Sequence, residues 1–438
     1  MVILYGRRRI GKTTLINKFI QNKPAIYFLV TEESEVQNRN VFKQLVMDFT
    51  NNTYLEQLNV LNWDYLFNEI VNFPTNEKKI IVIDEFQYLG KFNNAFPSVF
   101  QRIWDTILSK ENIMVILCGS LISIMESQTL HYESPLYGRR TAQIKLQQIP
   151  FIYYQQFYPN KNKYDLICYY AVTGGVPKYI ELFHEQDNIY ESIQKHVLSK
   201  NSFLYDEPNF LLSKEVNEIG SYFSILRAIS MGNRKLSQIS AILEVKQTSI
   251  TKYLHTLINL DILEREVPIT EDYPEKSKRG LYKLKDNFLC FWFHFVYPNV
   301  GYLETNHENF VLNRIKQSFI ENHVSYVYED ICKEYIKYHL ALNNPWNIQL
   351  SKVGRWWDTN HEIDIIAYDP FGNDMVFCEC KFWENKVGCN ILYDLEEKSK
   401  YVNWKKENRK SYYIILSING FSDDLIAMSQ DRDDILLV

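Results

Sequence analysis

The residues best suited to chemistry stand at the start of the chain, where residues 6–13 follow the spacing Gly-x4-Gly-Lys-Thr. An apolar run precedes them and residues with helical spacing follow, which is the strand–loop–helix context that a phosphate-binding loop requires. Glycines let backbone N–H groups surround an anion, and the following helix points its positive end at it. The predicted nucleotide-binding residues of this loop are Gly6, Arg9, Gly11, Lys12, Thr13 and Thr14.

A second phosphate-site signature is the apolar run 79–84, which ends in the consecutive acids Asp84 and Glu85. Lys12 would reach the β- and γ-phosphates of ATP, while Thr13 and Asp84 would hold Mg²⁺. Glu85 is placed to act as general base on the attacking water. These motifs together predict a site for ATP and Mg²⁺.

Two further polar positions follow the next apolar run, 113–118. Ser120 could sense the γ-phosphate, although a simple turn explains Gly119-Ser120 nearly as well. Arg139 and its neighbour Arg140 could stabilise transition-state charge, in cis or from another subunit of a homo-oligomer. A solvated basic loop is the competing interpretation of these two arginines.

A second group of charged residues lies near the carboxyl end of the chain. Glu379 and Lys381 alternate on an apolar strand and so project from the same face, and Asp364 lies inside another apolar run. Glu329 lies on a long predicted helix. Carboxylates suit Mg²⁺, which would activate water for attack on phosphorus with help from Lys381. The alternative is an Asp–Lys salt bridge with edge-strand charges.

The elements that must position these residues divide the chain into four predicted domains. Residues 1–150 alternate strands (2–5, 25–30, 79–84 and 113–118) with helices (13–21, 35–50, 61–72 and 96–109), which indicates an α/β domain with a parallel sheet. Residues 151–222 are predicted to form a helical lid, 223–300 a helix-turn-helix with a hairpin, and 301–438 a second α/β domain. In the last domain a helix (310–342) precedes strands at 348–354, 361–368, 374–380 and 411–416, with a helix at 392–407.

Composition excludes several classes of protein. The 438 residues carry a net charge of −5, so any nucleic-acid binding must come from a local basic patch. No apolar run approaches the roughly 18 residues of a membrane span. The seven cysteines lie mostly in apolar segments, which favours reduced thiols; we therefore expect a cytoplasmic protein without a signal peptide or membrane contact. Cys378, Cys380 and Cys389 lack a fourth ligand at zinc-finger spacing.

Several ordered motifs together resemble the archaeal-type P-loop ATPase family, which is similar to AAA+ and STAND NTPases. They are Tyr5–Thr13, Asp84–Leu89, Leu136–Arg139 and Thr173–Pro177. Strand 25–30, which comes between the P-loop strand and strand 79–84, and the Glu after the Asp resemble the additional-strand, catalytic-glutamate division of these ATPases. The resemblance implies a helical lid near the base and a C-terminal domain of PD-(D/E)xK, restriction-endonuclease-like fold. Family members usually have some tens of residues before the P-loop strand, so we expect either a shortened start or a loosely held adenine.

Residues 234–284 look like a winged helix-turn-helix, with helices at 236–243 and from 248, and Thr248 as the expected N-cap. The second helix offers only modest basic and amide groups to DNA, and the wing also carries acids, so packing or partner binding competes with DNA contact. The chain thus predicts an ATPase that controls a winged-helix and nuclease-like output and cleaves DNA. The alternatives are an ATP-gated switch that binds nucleic acid or protein without cleavage, and a motor ring.

Overall fold

The computed structural model describes residues 1–57, 62–186 and 188–438. The chain divides into two compact units: the first comprises Met1–Gln148, Val176–Lys178 and Leu211–Asn217, and the second comprises the remaining residues. Two short segments therefore return to the first unit after residue 148. The division into four domains stays a prediction. In the described part of the chain, no helix has the length and apolarity needed to cross a bilayer.

The first unit is built on a parallel five-stranded sheet. Its strands are β1 Val2–Tyr5, β2 Ala25–Leu29, β3 Lys79–Asp84, β4 Ile113–Gly119 and β5 Ala142–Lys145, in the spatial order β2-β3-β4-β1-β5. Every residue of β3 is buried, as expected for a strand covered on both faces. The strand interposed between β1 and β3 is β4, whereas β2, the strand at 25–30, lies at the edge.

Helices connect the strands of this sheet. They are α1 Lys12–Ile20, α2 Glu35–Thr50, α3 Trp63–Asn72, α4 Gln87–Phe92, α5 Phe96–Ile103 and α6 Ile122–Met125. The side chain of Ser34 caps α2 by accepting from the Gln37 amide. On one face of the sheet α1 packs through Ile16 against Leu4, Val82 and Ile116. Residue 61, where the predicted helix 61–72 begins, lies outside the described residues.

Helices dominate the middle of the chain. They are α7 Phe151–Tyr154, α8 Lys163–Thr173, α9 Pro177–Phe183, α10 Ile189–Ile193, α11 Glu207–Ser213, α12 Ile219–Ser230, α13 Leu236–Ile242 and α14 Gln247–Asn259. The antiparallel strands β6 Leu263–Glu266 and β7 Leu281–Leu284 follow. The N-cap of α14 is Lys246, so the expected cap at Thr248 is wrong; Thr248 lies in the first turn of the helix.

The carboxyl-terminal part of the second unit begins with α15 Asn287–Phe291, α16 Val300–Glu304, α17 Glu308–Phe319 and α18 Ser325–Tyr335. The predicted long helix 310–342 corresponds to α17, which begins two residues earlier than expected, and α18. The π-turn Ile320–Val324 connects the two helices, and the π-turn Ile336–Leu340 extends α18. A mixed sheet follows, with β8 Lys352–Trp357, β9 Glu362–Tyr368, β10 Asp374–Lys381, β11 Lys410–Ser417 and β12 Ile435–Leu437.

The order of this second sheet is β12-β11-β10-β9-β8, and β10 pairs parallel with β11 but antiparallel with β9. The crossover helix α19 Cys389–Ser399 packs Leu392 and Leu395 on the sheet core, and α20 Asp423–Asp431 packs there through Leu425. The helix expected at 392–407 ends earlier than expected. The first strand, expected at 348–354, is β8. It begins later than expected and continues through Trp356 and Trp357, which are buried.

Candidate active site

The loop between β1 and α1 leaves room for an anion at the start of the helix. Gly11 is the N-cap of α1 with φ 88°, a left-handed conformation that favours glycine. No side chain of the described residues caps this helix end, so its first amides face the loop. A Cβ on Gly11 would lie 3.6 Å from Cγ of Pro177, which belongs to the same unit. Gly6 and Arg9 also have positive φ angles, and Thr14 is exposed in the first turn.

Lys12 is folded into the loop. Its Nζ donates to the carbonyl oxygens of Gly6 at 2.8 Å and Arg7 at 2.7 Å. Burial lowers the pKa of Lys12, and the nearby carboxylates of Glu85 and Asp84 oppose this shift. The ammonium group therefore lies where a phosphate could replace backbone carbonyls as its partner.

Asp84 stands at the end of β3 with three hydroxyl and amide partners. Its Oδ2 accepts from the Thr13 hydroxyl at 3.1 Å and from the Tyr27 hydroxyl at 2.5 Å, while its Oδ1 accepts from the Glu85 amide at 2.9 Å. Burial, followed by the hydrogen bond to Asp84, raises the pKa of Tyr27. A carboxylate beside the P-loop hydroxyl is a donor set that fits Mg²⁺, and Thr13 and Asp84 would hold it.

Glu85 is held in a strained backbone conformation, with φ 57°. The Ser120 hydroxyl donates to its Oε1 at 2.9 Å and Oε2 at 2.7 Å, and the Gln87 amide donates to Oε2. Gly119 is needed for this arrangement, because a Cβ there would lie 2.2 Å from Oε1 of Gln87. The structure thus brings Ser120 to the proposed general base itself.

Arg139 is bound within its own unit. Its Nε donates to Oδ1 of Asp105 at 2.8 Å and its Nη1 donates to the Pro135 carbonyl at 2.8 Å. The hydrogen bond to Asp105 raises the pKa of the guanidinium. Arg140 lies 5.6 Å from the ring centre of Tyr137. A role for Arg139 at the γ-phosphate therefore requires it to leave Asp105.

The carboxyl-terminal charged residues meet around an irregularity between β8 and β9. Gly354 pairs with Ile366 and Trp356 with Ile363, so Asp364 and Ile365 both lie opposite Arg355. Such a bulge redirects the side chains beside it. Nη2 of Arg355 lies 3.2 Å from Oε2 of Glu329 and also contacts Glu362.

Asp364 extends toward the neighbouring strand β10. Its Oδ2 accepts at 2.8 Å from the amide of Cys380, the residue between Glu379 and Lys381. Nζ of Lys381 donates to Oε1 of Glu379 at 2.7 Å, and Nζ of Lys398 lies 3.4 Å from the same oxygen. The described residues contain no group of three or more His, Cys, Asp or Glu side chains placed to hold a metal ion.

The pKa values of two of these carboxyls are raised. Burial, and then the charge of Asp364, raises the pKa of Glu329 to about 8. Burial, and then the charge of Glu379, raises the pKa of Asp364 to about 6. Crowded buried acids of this kind disfavour full ionisation and would gain from a cation between them.

Three residues of these sites were absent from the sequence-based candidates: Tyr27, Gln87 and Arg355. Tyr27 and Arg355 each lie on a strand and contact an acid from another strand, Asp84 and Glu362 respectively, so no local spacing marks them. Gln87 lies within the recognised run 84–89, and its position two residues after Glu85 was the available signal.

Comparisons with known proteins identify an ATPase domain in the amino-terminal part of the chain. Residues 1–183 match a family described as "ATPase domain predominantly from Archaea", and residues 292–397 match one described as "Archaea bacterial proteins of unknown function". The solved structure of a Walker-type ATPase of Pyrococcus abyssi covers 67% of this chain and 90% of its own, with 17% identity and a TM-score of 0.50. Fold and site together define a P-loop ATPase.

The relatives place the whole chain in a family. An uncharacterized protein of Methanocaldococcus jannaschii, MJECL04, is 34% identical over 419 residues, which is 95% of this chain and 90% of the relative. A second protein of that organism, MJ0424, is 37% identical over 92 residues, 21% of this chain and 88% of its own length. The chain belongs to the same family as MJECL04, and its amino-terminal domain is an archaeal-type ATPase domain.

Proposed function

We propose that the ATPase site works through Lys12, Thr13, Asp84, Glu85 and Ser120. Lys12 would exchange its carbonyl partners for the β- and γ-phosphates, and Thr13 and Asp84 would hold Mg²⁺. Bound Mg²⁺ would supply neutralisation of phosphate charge. Glu85 takes a proton from the water that attacks the γ-phosphorus; the bond from that phosphorus to the β–γ bridging oxygen breaks, and ADP and phosphate leave.

The observation that carries this assignment is the bond from Thr13 to Asp84, which joins the P-loop to the end of β3. Support also comes from the strand order, because β4 lies between β1 and β3. That order is typical of the additional-strand division of P-loop ATPases. Ser120, at the end of β4, positions Glu85 and would respond to the γ-phosphate.

For the output we infer a winged helix-turn-helix from α12 to β7. The helices α13 and α14 followed by the β6–β7 hairpin have the element order of that motif. The hairpin is tied to α18, because Lys283 donates to Asp330 at 2.6 Å and Lys333 lies 3.6 Å from Glu266. These half-buried ion pairs support a packed module.

We further propose that the carboxyl-terminal sheet is nuclease-like and cleaves DNA. The observation behind this is Asp364 reaching the backbone between Glu379 and Lys381, which gathers the three residues of the PD-(D/E)xK pattern. As they stand these acids do not form a group placed to hold a metal ion, so Asp364 and Glu379, with Glu329 nearby, would have to give up their present partners to hold one. The metal would supply an activated water, and Lys381 would orient the phosphate at the scissile bond.

A second candidate function is an ATP-gated switch that binds without cleavage. In its favour, each of the three carboxylates already has a partner: Arg355 for Glu329, the Cys380 amide for Asp364, and Lys381 for Glu379. These partners, two cationic side chains and one backbone amide, satisfy the acids without a metal. The two functions share the ATPase and differ only in chemistry at this sheet.

Plasmid nicking separates the two. Supercoiled DNA is incubated with Mg²⁺ or Mn²⁺ and wild type, Lys381→Ala, or the control Lys406→Ala, which removes an exposed lysine elsewhere in the second unit. Nicking that is lost only in Lys381→Ala supports cleavage. Equal absence of nicking in all three, with DNA binding retained, supports the switch.

A motor ring would need Arg139 to act on the nucleotide of a neighbouring subunit. Its release from Asp105 would free the guanidinium for this role. Size measurement with and without ATP tests this proposal. The proposal is supported if wild type forms a larger complex with ATP and Arg139→Ala stays monomeric. It is rejected if wild type is monomeric with and without ATP.

A further inference from the structure

A basic groove lies in the second unit, and its lining does not include Glu329, Asp364 or Glu379. It has a volume of about 540 Å³, and its charged walls are Lys235, Arg265, Lys278, Arg279 and Asp358. Four of these five side chains are cationic in a chain whose net charge is −5. Such a local excess of positive charge marks an anion-binding surface.

Most of the cationic side chains in the groove can interact with a bound anion. Lys235 and Lys278 are exposed, and neither forms an ion pair with the described residues. The guanidinium of Arg265 donates to the carbonyl oxygens of Pro274, at 3.1 Å, and Ser277, which fix it without neutralising it. Arg279 differs, because Glu271 pairs with it.

The lone acid of the groove is turned to the backbone. Oδ1 of Asp358 accepts from the amides of Asn360 and His361, each at 2.7 Å. The carboxylate of Asp358 is therefore engaged by backbone amides of its own turn. Within the described part of the chain, Lys235, Arg265 and Lys278 of the groove therefore have no acidic partner.

Backbone groups add to the same surface. Gln247, the first residue of α14, lines the groove, and no side chain of the described residues caps that helix end. The positive end of a thirteen-residue helix therefore borders the groove. Gly280 lies under Arg265, since a Cβ there would meet its Nε at 2.4 Å, so the guanidinium lies against bare backbone.

We propose that this groove binds the phosphate backbone of nucleic acid. Separate cations combined with helix amides suit successive phosphates better than a single small anion. Trp357 lines the groove and pairs with Glu362, two residues before Asp364 on the neighbouring strand. A strand rises about 3.3 Å per residue and paired strands lie about 5 Å apart, so the Cα of Asp364 lies roughly 8 Å from that of Trp357.

The inference rests on the nucleic-acid output of the proposed function, so its test measures binding and not cleavage. The full-length protein is titrated into fluorescent DNA duplex or RNA of equal length, with EDTA and without ATP, at several salt concentrations. The variant is Lys235→Ala with Lys278→Ala. The control, Lys110→Ala with Lys406→Ala, removes two exposed lysines outside the groove.

We expect Kd to rise about tenfold in the groove variant and the salt slope to fall by about two, one for each lysine. Comparison of the DNA and RNA arms identifies the source of the backbone. Three results would overturn the proposal that the groove binds nucleic acid. They are an unchanged Kd in the groove variant, an equal loss of affinity in the control variant, and competition by poly-glutamate as strong as that by nucleic acid. If binding depends on the groove but no plasmid is nicked, the groove proposal stands and the cleavage proposal is rejected. If plasmid is nicked but the groove variant binds as wild type does, the cleavage proposal stands and the groove proposal is rejected.

Discussion

The hydroxyl of Tyr27 donates to the same oxygen of Asp84 that accepts from Thr13, at 2.5 Å and 3.1 Å. Tyr27 lies on β2 and Asp84 on the adjacent β3, with Leu29 opposite Asp84 in the sheet register. The phenol therefore fixes the carboxylate from one side while the P-loop approaches it from the other. It is a positioning residue for the proposed metal ligand.

We expect Tyr27→Phe to raise the Mg²⁺ concentration for half-maximal ATP hydrolysis about tenfold, because groups that orient a metal ligand typically matter on that scale. Maximal turnover at saturating Mg²⁺ should fall much less. The readouts are hydrolysis against Mg²⁺ concentration and the thermal shift produced by ADP at each concentration. Tyr54→Phe, at an exposed tyrosine of the same unit, is the control; identical Mg²⁺ dependence in both variants would contradict the role.

Glu85→Gln should abolish turnover while sparing nucleotide binding. The amide cannot accept a proton from water, so we expect a loss of roughly a hundredfold to ten-thousandfold in phosphate release. ATP affinity, followed with a fluorescent analogue, should stay within a few-fold of wild type. Glu77→Gln changes an exposed acid and should hydrolyse normally. Retained turnover in Glu85→Gln would move the general base to another group.

Gly175→Ala should destabilise the second unit, although glycine at this position has no positive φ. A Cβ there would lie 1.9 Å from the carbonyl oxygen of Ile149, whose amide donates to the Gly175 carbonyl at 2.8 Å. Because the clash is with backbone, we expect a loss of about 3 kcal/mol in the free energy of unfolding. Gly220→Ala, in α12 with open space, should be neutral or slightly stabilising in the same denaturant titration. Similar stability of the two variants would be inconsistent with this packing.

His323 should make stability depend on pH. It is buried and paired with the Ala171 carbonyl at 2.6 Å, and burial lowers its pKa to about 4 from the ordinary 6.5. Since the unfolded chain binds the proton more readily, stability is complete above about pH 6.5 and is lost as pH falls toward 4. Between pH 7 and pH 5 the loss is about 2 kcal/mol.

His323→Gln keeps a donor for Ala171 and should remove that part of the pH dependence, measured by denaturant unfolding at both pH values. His255→Gln, at an exposed histidine, should follow wild type. If the variant fails to fold, an NMR titration of the His323 ring in the wild-type protein measures its pKa directly. A ring pKa near 6.5 would show the prediction to be wrong.

The sequence by itself determined the parts of this protein whose chemistry is local. A P-loop is a contiguous run between one strand and one helix, and Asp84 and Glu85 simply end a buried strand, so spacing alone identified the ATPase. Strands β1 to β4 were readable because each is a short apolar run; β1, β3 and β4 are mostly buried, and β2 is the edge strand. β5 is a short, mostly exposed edge strand, and it lacked that signal.

Only the tertiary structure decided which distant residues share a partner. Strand order is set by packing and not by chain order, so it alone placed β4 beside β1 and Tyr27 beside Asp84. The bulge opposite Arg355, which sends Asp364 toward Cys380, depends on the pairing of two strands. The basic groove likewise joins residues 235, 265, 278 and 358. Electrostatic energy depends on distance in space, and sequence separation carries no information about it.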